Sequence, residues 1–528
     1  MRFNIKIIVL SVVFCLVVVG TFCLIKYSKH NIDSNLLESN SSNYEVMSDK
    51  EIINTFVDNF MLVAKVPRPS HHEDKISNFF MDWAKEQGLN PKKDSLNNVM
   101  FDVPATKGME KKPLGVLQVH MDMVVAVEDG RNFDPLSEPI TVIRNDDEGI
   151  LRADGTSLGA DDGAGLSIVM AIVQGKMQHG PLRIIITVNE EDGMEGARNV
   201  DKSWLKDCEY LINIDNEAAD EVLVSTASGD CNSINKEISY VNPTGDLAIN
   251  IGLFNLKGGH SGVEIDKGRL NGIIALGNFM KQLDEDGIYY ELSSFEGGTA
   301  ANAIPTKASA VLVIKAEDKD KIKQRIANYC DILNEKYKDI EDDIRYEVTE
   351  KDELPQVVSK EEKNNMIKYI TEVIDGVYTW SKDIDGLVES SSNLGIARLN
   401  KDGLSITIMF RSSSPKKETE IGDAQMELAK LCDYKVNIIK TADAWDYDPD
   451  SDLLELTKKV YKEQNGEEIK VVAVHAGVEC GTFKTLKPDL DMVSIGPDLK
   501  DVHTINETLY LNSVPKIWHL LQGILEKI

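Results

Sequence analysis

The stretch Pro181–Ala197, PLRIIITVNEEDGMEGA, constrains this chain more than any other. Leu182–Val188 is a mostly apolar run rich in β-branched residues, with Arg183 near its start. Such a run suits a strand buried on both faces of a parallel sheet. It ends abruptly in Glu190, Glu191 and Asp192, followed by Gly193 and Gly196. Three carboxylates at the end of a buried strand are costly unless something positive holds them. The carboxyl ends of strands are also where open α/β sheets bind ligands. A metal ion is the natural partner, one glutamate binding it while the other handles protons on water. A solvated acidic loop is the competing reading, since the chain carries a net charge of −29. Matching sites elsewhere must decide between them.

The rest of the chain alternates in the same style. Asp49–Ala64 and Glu73–Gln87 have helical periodicity, with Pro67 and Pro69 breaking the chain between them. Leu114–Val119 is a short buried-type strand ending in His120, Met121 and Asp122, and Asp134–Ala153 reads as hairpin or loop. The glycine-rich turn SLGADDGAG, Ser157–Gly165, leads into an apolar helix over Leu166–Gln174, and Tyr210–Ile214 is a strand ending at Asp215. Strands alternating with helices predict an α/β fold, a doubly wound and mainly parallel sheet. Beyond about residue 227 strand and helix signals mix in the manner of an α+β insertion. The first pattern resumes with the helix Asp452–Gln464, the strands Val471–Val474 and Val493–Ile495, and a closing amphipathic helix. A chain of 528 residues exceeds what one core fills. We therefore expect a catalytic domain over 50–227 and 442–528, interrupted by an inserted lid over 228–441.

Residues 1–30 read as a membrane anchor or signal, and 31–49 as a flexible tether. Ile7–Ile25 is apolar over a length that spans a bilayer as one transmembrane helix, flanked by Arg2, Lys6, Lys26 and Lys29. Without a small-residue cleavage site it favours an uncleaved anchor, with the folded body outside the cytoplasm. The acidic balance argues against nucleic acid as a partner. Cys208, Cys231, Cys330, Cys432 and Cys480 are scattered without CxxC spacing, so they read as buried free thiols.

Metal-type ligands now stand at three strand ends, His120 with Asp122, Glu190 with Glu191, and Asp215. Asp161 and Asp162 lie in the glycine-rich turn, and His503 follows the last strand. Imidazole and carboxylate without thiolate suit zinc, manganese or cobalt. His120-x-Asp122 fits the pattern in which a carboxylate orients a ligand histidine. Adjacency alone leaves open which of Glu190 and Glu191 is the base.

Eight motifs in order carry a resemblance. They are VHMD (119–122), GADDGAG (159–165), NEEDGMEGA (189–197), NIDNE (213–217), GGHSGVEI (258–265), GGTAANAIP (297–305), HAGVECG (475–481) and SIGPDLKDVHT (494–504). Over roughly residues 50 to 528 the chain resembles the aminoacyl-histidine dipeptidases, also called peptidase D or cytosol non-specific dipeptidase. These belong to the co-catalytic di-zinc peptidases that include aminoacylases and glutamate carboxypeptidases.

The resemblance implies two divalent ions, zinc foremost, with manganese or cobalt possible. Asp161 would bridge them, His120 and Asp215 completing one site, Glu191 and His503 the other. Glu190 would be the general base and Asp122 would orient His120. His260 would polarise the scissile carbonyl or stabilise the oxyanion, and Asn302 would hydrogen-bond the substrate. Arg411 would pair with the free carboxylate of a dipeptide, and Gly477 would form a backbone turn beside it. The resemblance also implies a cis bond after Asp161 and a homodimer through the lid. The function that follows is metal-dependent hydrolysis of dipeptides, of Xaa-His type or broad specificity. An aminoacylase of the same clan, or a membrane-tethered peptide- or metal-binding protein without turnover, are the competing readings. His475 and Glu479 stay ambiguous between site and scaffold.

Overall fold

The computed structural model describes residues 47–528. The first helix, Asp49–Ala64, starts at a capping box in which Ser48 Oγ accepts from Glu51 N while the Glu51 carboxylate takes the Ser48 amide. The apolar run Ile7–Ile25 and the start of the tether lie outside the described residues. Among the described residues no helix is long and apolar enough to cross a membrane.

Two sheets organise the described chain. The first is built from β1 (Lys92–Lys93), β2 (Val99–Val103), β3 (Gly115–His120), β4 (Leu182–Thr187), β5 (Tyr210–Asn213), β6 (Glu221–Thr226), β7 (Lys470–Val474) and β8 (Asp491–Ser494), in the order β1-β2-β4-β3-β5-β8-β6-β7. The block β4-β3-β5-β8 is parallel throughout. The sheet as a whole is mixed, with parallel pairings in the majority: β6 and β7 are also parallel, whereas β1 and β4 flank β2 antiparallel and β8 meets β6 antiparallel at a single residue pair. β2 runs into β3 without a helical crossover, so it points opposite to β3 and therefore opposite to β4, which is parallel to β3. Helices cover both faces. Phe56 and Phe60 of the first helix, Leu166 and Met170 of the helix Ala160–Val173, and Trp518 and Leu521 of the helix Val514–Lys527 are all buried. On the other side Val116, Ile185 and Leu211 share a core with Trp204 and Phe483.

The second sheet has nine strands, all from the stretch Gly229–Ala442 and all antiparallel. Its longest strands, Val388–Asn400 and Gly403–Ser412, pair in its middle. The helices Gly272–Glu285, Lys319–Lys336, Lys360–Glu372 and Pro415–Leu431 supply its core with Phe279, Ile326, Met366 and Ala429.

A small four-stranded sheet positions the site. The hairpin Val142–Asn145/Ile150–Ala153 pairs with Thr508–Tyr510, which pairs with Leu499–Lys500. It ties the loop holding His503 to the segment that leads into Gly159–Asp161. All five expected cysteines are free and buried.

Candidate active site

The four parallel strands deliver their side chains to one edge. His120 is the last residue of β3, Glu190 and Glu191 follow β4, Asp215 follows β5, and His503 follows β8. Under this edge runs a row of buried polar side chains, one per strand. Gln118 Nε2 donates to Thr187 Oγ1 at 3.2 Å, Asn213 Nδ2 to Gln118 Oε1 at 2.7 Å, and Ser494 Oγ to Asn213 Oδ1. Glu479, fully buried, accepts from Thr187 Oγ1 at 2.7 Å and from Gln118 Nε2. Burial pushes the Glu479 carboxyl up to about 7.

At the edge itself, Asp161 stands between two histidines. Its Oδ1 lies 2.8 Å from His120 Nε2 and its Oδ2 lies 3.0 Å from His503 Nε2. His120 Nε2 is also 3.4 Å from Asp215 Oδ1, and His503 Nε2 is 2.9 Å from Glu191 Oε2. The Asp161–Asp162 peptide bond is cis. Asp122, fully buried, sits 3.4 Å from His120 Nδ1 and accepts the amides of Glu190 at 3.0 Å and Glu191 at 3.4 Å. Ser70 Oγ donates to it at 2.8 Å. Asp122 therefore fixes the glutamate pair as well as the histidine.

The electrostatics are those of a cation site. Burial, reinforced by the neighbouring carboxylates, raises Glu190, Asp162 and Asp215 well above the usual carboxylate range. Burial would raise Asp161 too, yet hydrogen bonds from His120 and His503 hold it well below that range. Burial alone would lower His120, but Asp215, Asp122 and Asp161 raise it well above its ordinary value. Hydrogen bonds to Asp161 and Glu191 lift His503 to about 11. More negative charge converges here than two imidazoles neutralise, and Glu191 Oε1 is buried with no partner. Two groups could each hold a metal ion, His120 with Asp161 and Glu191, and His120 with Asp162 and Asp215. Asp162 is the weaker ligand, because its oxygens already accept the amides of His120 at 3.1 Å and Gly165 at 2.9 Å. The donor set fits divalent ions.

The remaining expected residues gather around the second sheet. His260 lies on a short strand paired with Ala303–Ile304. Its Nδ1 accepts from Gly262 N at 3.1 Å and Val263 N at 3.2 Å, which leaves the proton on Nε2. Asn302 is exposed, and its carbonyl accepts from Ser261 N at 2.9 Å. Arg411 is only 6% exposed; its Nη2 lies 3.4 Å from Met409 Sδ and its Nε has no partner. Gly477 is packed so closely that a Cβ there would come 2.5 Å from Ala442 Cβ and 3.0 Å from Met194 Cε. His475, ambiguous in the sequence, is buried with Nε2 2.7 Å from Ser391 Oγ and Nδ1 unpartnered. Burial and the Arg411 charge push its pKa down to about 3.

Sequence reasoning missed Arg68, Glu73, Ser391 and Glu507. Glu73 Oε1 accepts the amides of His71 at 2.9 Å and Asn189 at 3.0 Å, so it braces the turn before Glu190. Nothing in the sequence around Glu73 or Ser391 marks them, whereas Arg68 between two prolines offered a signal of a fixed loop.

The model of peptidase family M20/M25/M40 matches residues 116–527. The chain belongs to this family. The cytosol non-specific dipeptidase of Escherichia coli (strain K12) is 31% identical over 473 residues, covering 89% of this chain and 97% of that protein. The crystal structure of aminoacylhistidine dipeptidase from Vibrio alginolyticus superposes with a TM-score of 0.83 at 30% identity, over 92% of this chain and 98% of the other. A tripeptidase from Staphylococcus aureus, 16% identical with a TM-score of 0.51 over 90% of this chain and 98% of the other, shares the fold. These likenesses correct the placement of this M20 peptidase. The expectation of a membrane-anchored body outside the cytoplasm is overturned, because a relative matched over nearly its whole length is by name a cytosol enzyme. Apolar length with charges on both flanks specified neither side nor destination.

Proposed function

We propose that the protein is a metal-dependent dipeptidase using two divalent ions, zinc foremost, with manganese or cobalt as alternatives. The observation that carries this reading is Asp161, whose two oxygens face two different histidines, His120 and His503. His120, Asp161 and Asp215 would hold one ion, and Asp161, Glu191 and His503 the other. When bound, such a pair polarises the scissile carbonyl and makes water a stronger acid. Glu190 takes the proton from the attacking water and passes it to the leaving amine. Asp122 keeps His120 and the glutamate backbone in place for this. His260 donates from Nε2 to the carbonyl oxygen as it gains charge. Asn302 contacts the substrate, and the turn at Gly477 lets it approach the backbone. Arg411, a buried cation without a counter-charge, pairs with the substrate's free carboxylate.

The names of the relatives support a dipeptide as substrate, of Xaa-His type or broader. We assign 50–227 and 442–528 to a catalytic domain and 228–441 to an inserted lid, which agrees with eight of the nine strands of the second sheet falling inside that range and the ninth, Val436–Ala442, ending one residue past it. A homodimer through the lid, implied by the resemblance alone, belongs to the same proposal, and sedimentation of the full chain decides it. The substrate test is a panel of free dipeptides, including Xaa-His, beside N-acetyl amino acids. Cleavage of the free dipeptides alone supports the reading. Cleavage of the acetylated compounds alone makes the protein an aminoacylase, and metal and peptide binding without hydrolysis makes it a binding protein.

A further inference from the structure

Two buried charged side chains beside the site have no part in the chemistry above. Arg68 is 3% exposed and Glu507 is 2% exposed. The Arg68 guanidinium donates from Nη1 to the carbonyls of Met121 at 3.0 Å and Asp122 at 2.7 Å, and from Nη2 to the carbonyl of Gly159. Glu507 accepts four consecutive amides. Its Oε2 takes Leu158 N at 2.7 Å and Gly159 N at 2.9 Å, and its Oε1 takes Ala160 N at 2.7 Å and Asp161 N at 3.4 Å.

One turn is thus gripped from both sides, its carbonyl by a cation and its amides by an anion. The turn leads into the span Ala160–Val173, in which Asp161 (ψ 110) and Asp162 (ψ 39) depart from helical geometry, and Asp162 Oδ1 takes the Gly165 amide at 2.9 Å where the regular helix starts. Glu507, from a distant loop, gathers the amides of the turn that precedes this break, and such a run of free N–H groups favours a carboxylate. Gly159 stands at φ +68, and a Cβ there would come 2.7 Å from Arg68 Nη2, so the close approach of the guanidinium requires glycine. The same loop carries His503 four residues before Glu507. Arg68 in turn holds the backbone of Asp122, whose carboxylate pins the Glu190 and Glu191 amides.

Burying two full charges carries a desolvation cost that an apolar turn would avoid. The geometry shows what they hold in return. We propose that Arg68 and Glu507 are a positioning pair that sets the height and rotation of Asp161, so that each carboxylate oxygen faces its own histidine. This rests on the reading of Asp161 as the shared ligand. Neither residue touches substrate; both act through the turn.

The test uses the full-length chain with Glu507→Gln and, separately, Arg68→Lys. The first sets an amide N–H₂ against backbone N–H donors. The second keeps the charge but loses the planar fork that reaches three carbonyls. Metal affinity is measured by chelator competition with zinc, and kcat and KM are measured separately at saturating metal. Amide hydrogen exchange of the peptide spanning 157–163 is followed in the metal-free protein. Each variant is expected to bind zinc about 10–100-fold more weakly. Each should also lose roughly tenfold or more in kcat with KM held within about twofold, and exchange faster at the turn. A folded variant with wild-type zinc affinity and wild-type kcat overturns the proposal. If the wild type itself takes up no metal, the metal reading fails separately. The exchange experiment still judges the pair, and an unchanged rate at the turn in both variants overturns it. Should Glu507→Gln fail to fold, Glu507→Asp, which withdraws the charge by one methylene, takes its place with the same expectations.

Discussion

The edge of the first sheet and the middle of the second are opposites in charge. At the first, Glu190, Glu191, Asp161, Asp162 and Asp215 converge on His120 and His503, and burial raises three of the carboxyls. At the second, Arg411 is buried with its Nε unpartnered, and the nearby His475 is held neutral with a pKa of about 3. One region has anions in excess of its cations, and the other a cation in excess of its anions. The two meet where His475, from the loop after β7, bonds Ser391 of the second sheet. Under the proposed function, a short peptide with a free carboxylate would answer the second region, and metal ions would answer the first. Complementary deficits of this kind bind by charge and reject what lacks it.

Removing the proposed base breaks the comparison most severely. Glu190→Ala keeps every ligand, so metal content should stay at the wild-type level while kcat falls about 10³-fold. Loss of metal together with activity would make Glu190 a ligand instead. Arg411→Met attacks the other side. We expect kcat/KM for free dipeptides to drop about 10²-fold, with C-terminal amides of the same dipeptides hardly affected. Equal losses on both substrate types would mean that Arg411 only supports the fold.

His475 sharpens the electrostatic contrast through pH. Its folded pKa of about 3 lies below the unfolded value. The stability it contributes is therefore complete above about pH 6.5 and is lost as the pH falls toward 3. Between pH 7 and pH 5 the metal-free wild type should lose about 2 kcal/mol more stability than His475→Gln, read from urea unfolding at both pH values. Parallel losses would show that His475 protonates freely in the folded state. The smallest effect is expected at Gly477, where alanine should cost about 1 kcal/mol through overpacking against Ala442 and Met194. A melting temperature equal to the wild type would show that the turn has room to spare.

The same contrast governs what could be read in the sequence. The first region was legible because its ligands end apolar strands, and Leu182–Thr187 or Tyr210–Asn213 announce themselves by composition. Much of the second sheet was not. Val388–Asn400 reads VESSSNLGIARLN, yet Ser390, Ser391, Ser392 and Asn393 are buried. Hydrogen bonds such as Gln425 to Ser392 at 2.9 Å and Asn393 to the carbonyl of Ala301 at 2.9 Å replace the apolar alternation that would have marked a strand. Glu507 was hidden for a related reason. Its partners are backbone amides of a turn far away in sequence, and no side-chain motif records such a contact. The strand Val99–Val103, antiparallel to β4, was not read from the sequence at all, because five residues interrupted by Asp102 carry too little pattern to stand out.

Metal reconstitution of the full chain, stripped with chelator and titrated with zinc while dipeptide hydrolysis is followed, tests the central claim most directly. If Asp161 is shared between two ions, the stripped protein is inactive and the activity reaches its plateau at about two zinc ions per chain. Full activity in the stripped protein, or a plateau at one ion, would contradict the two-ion centre built on His120, Asp161 and His503.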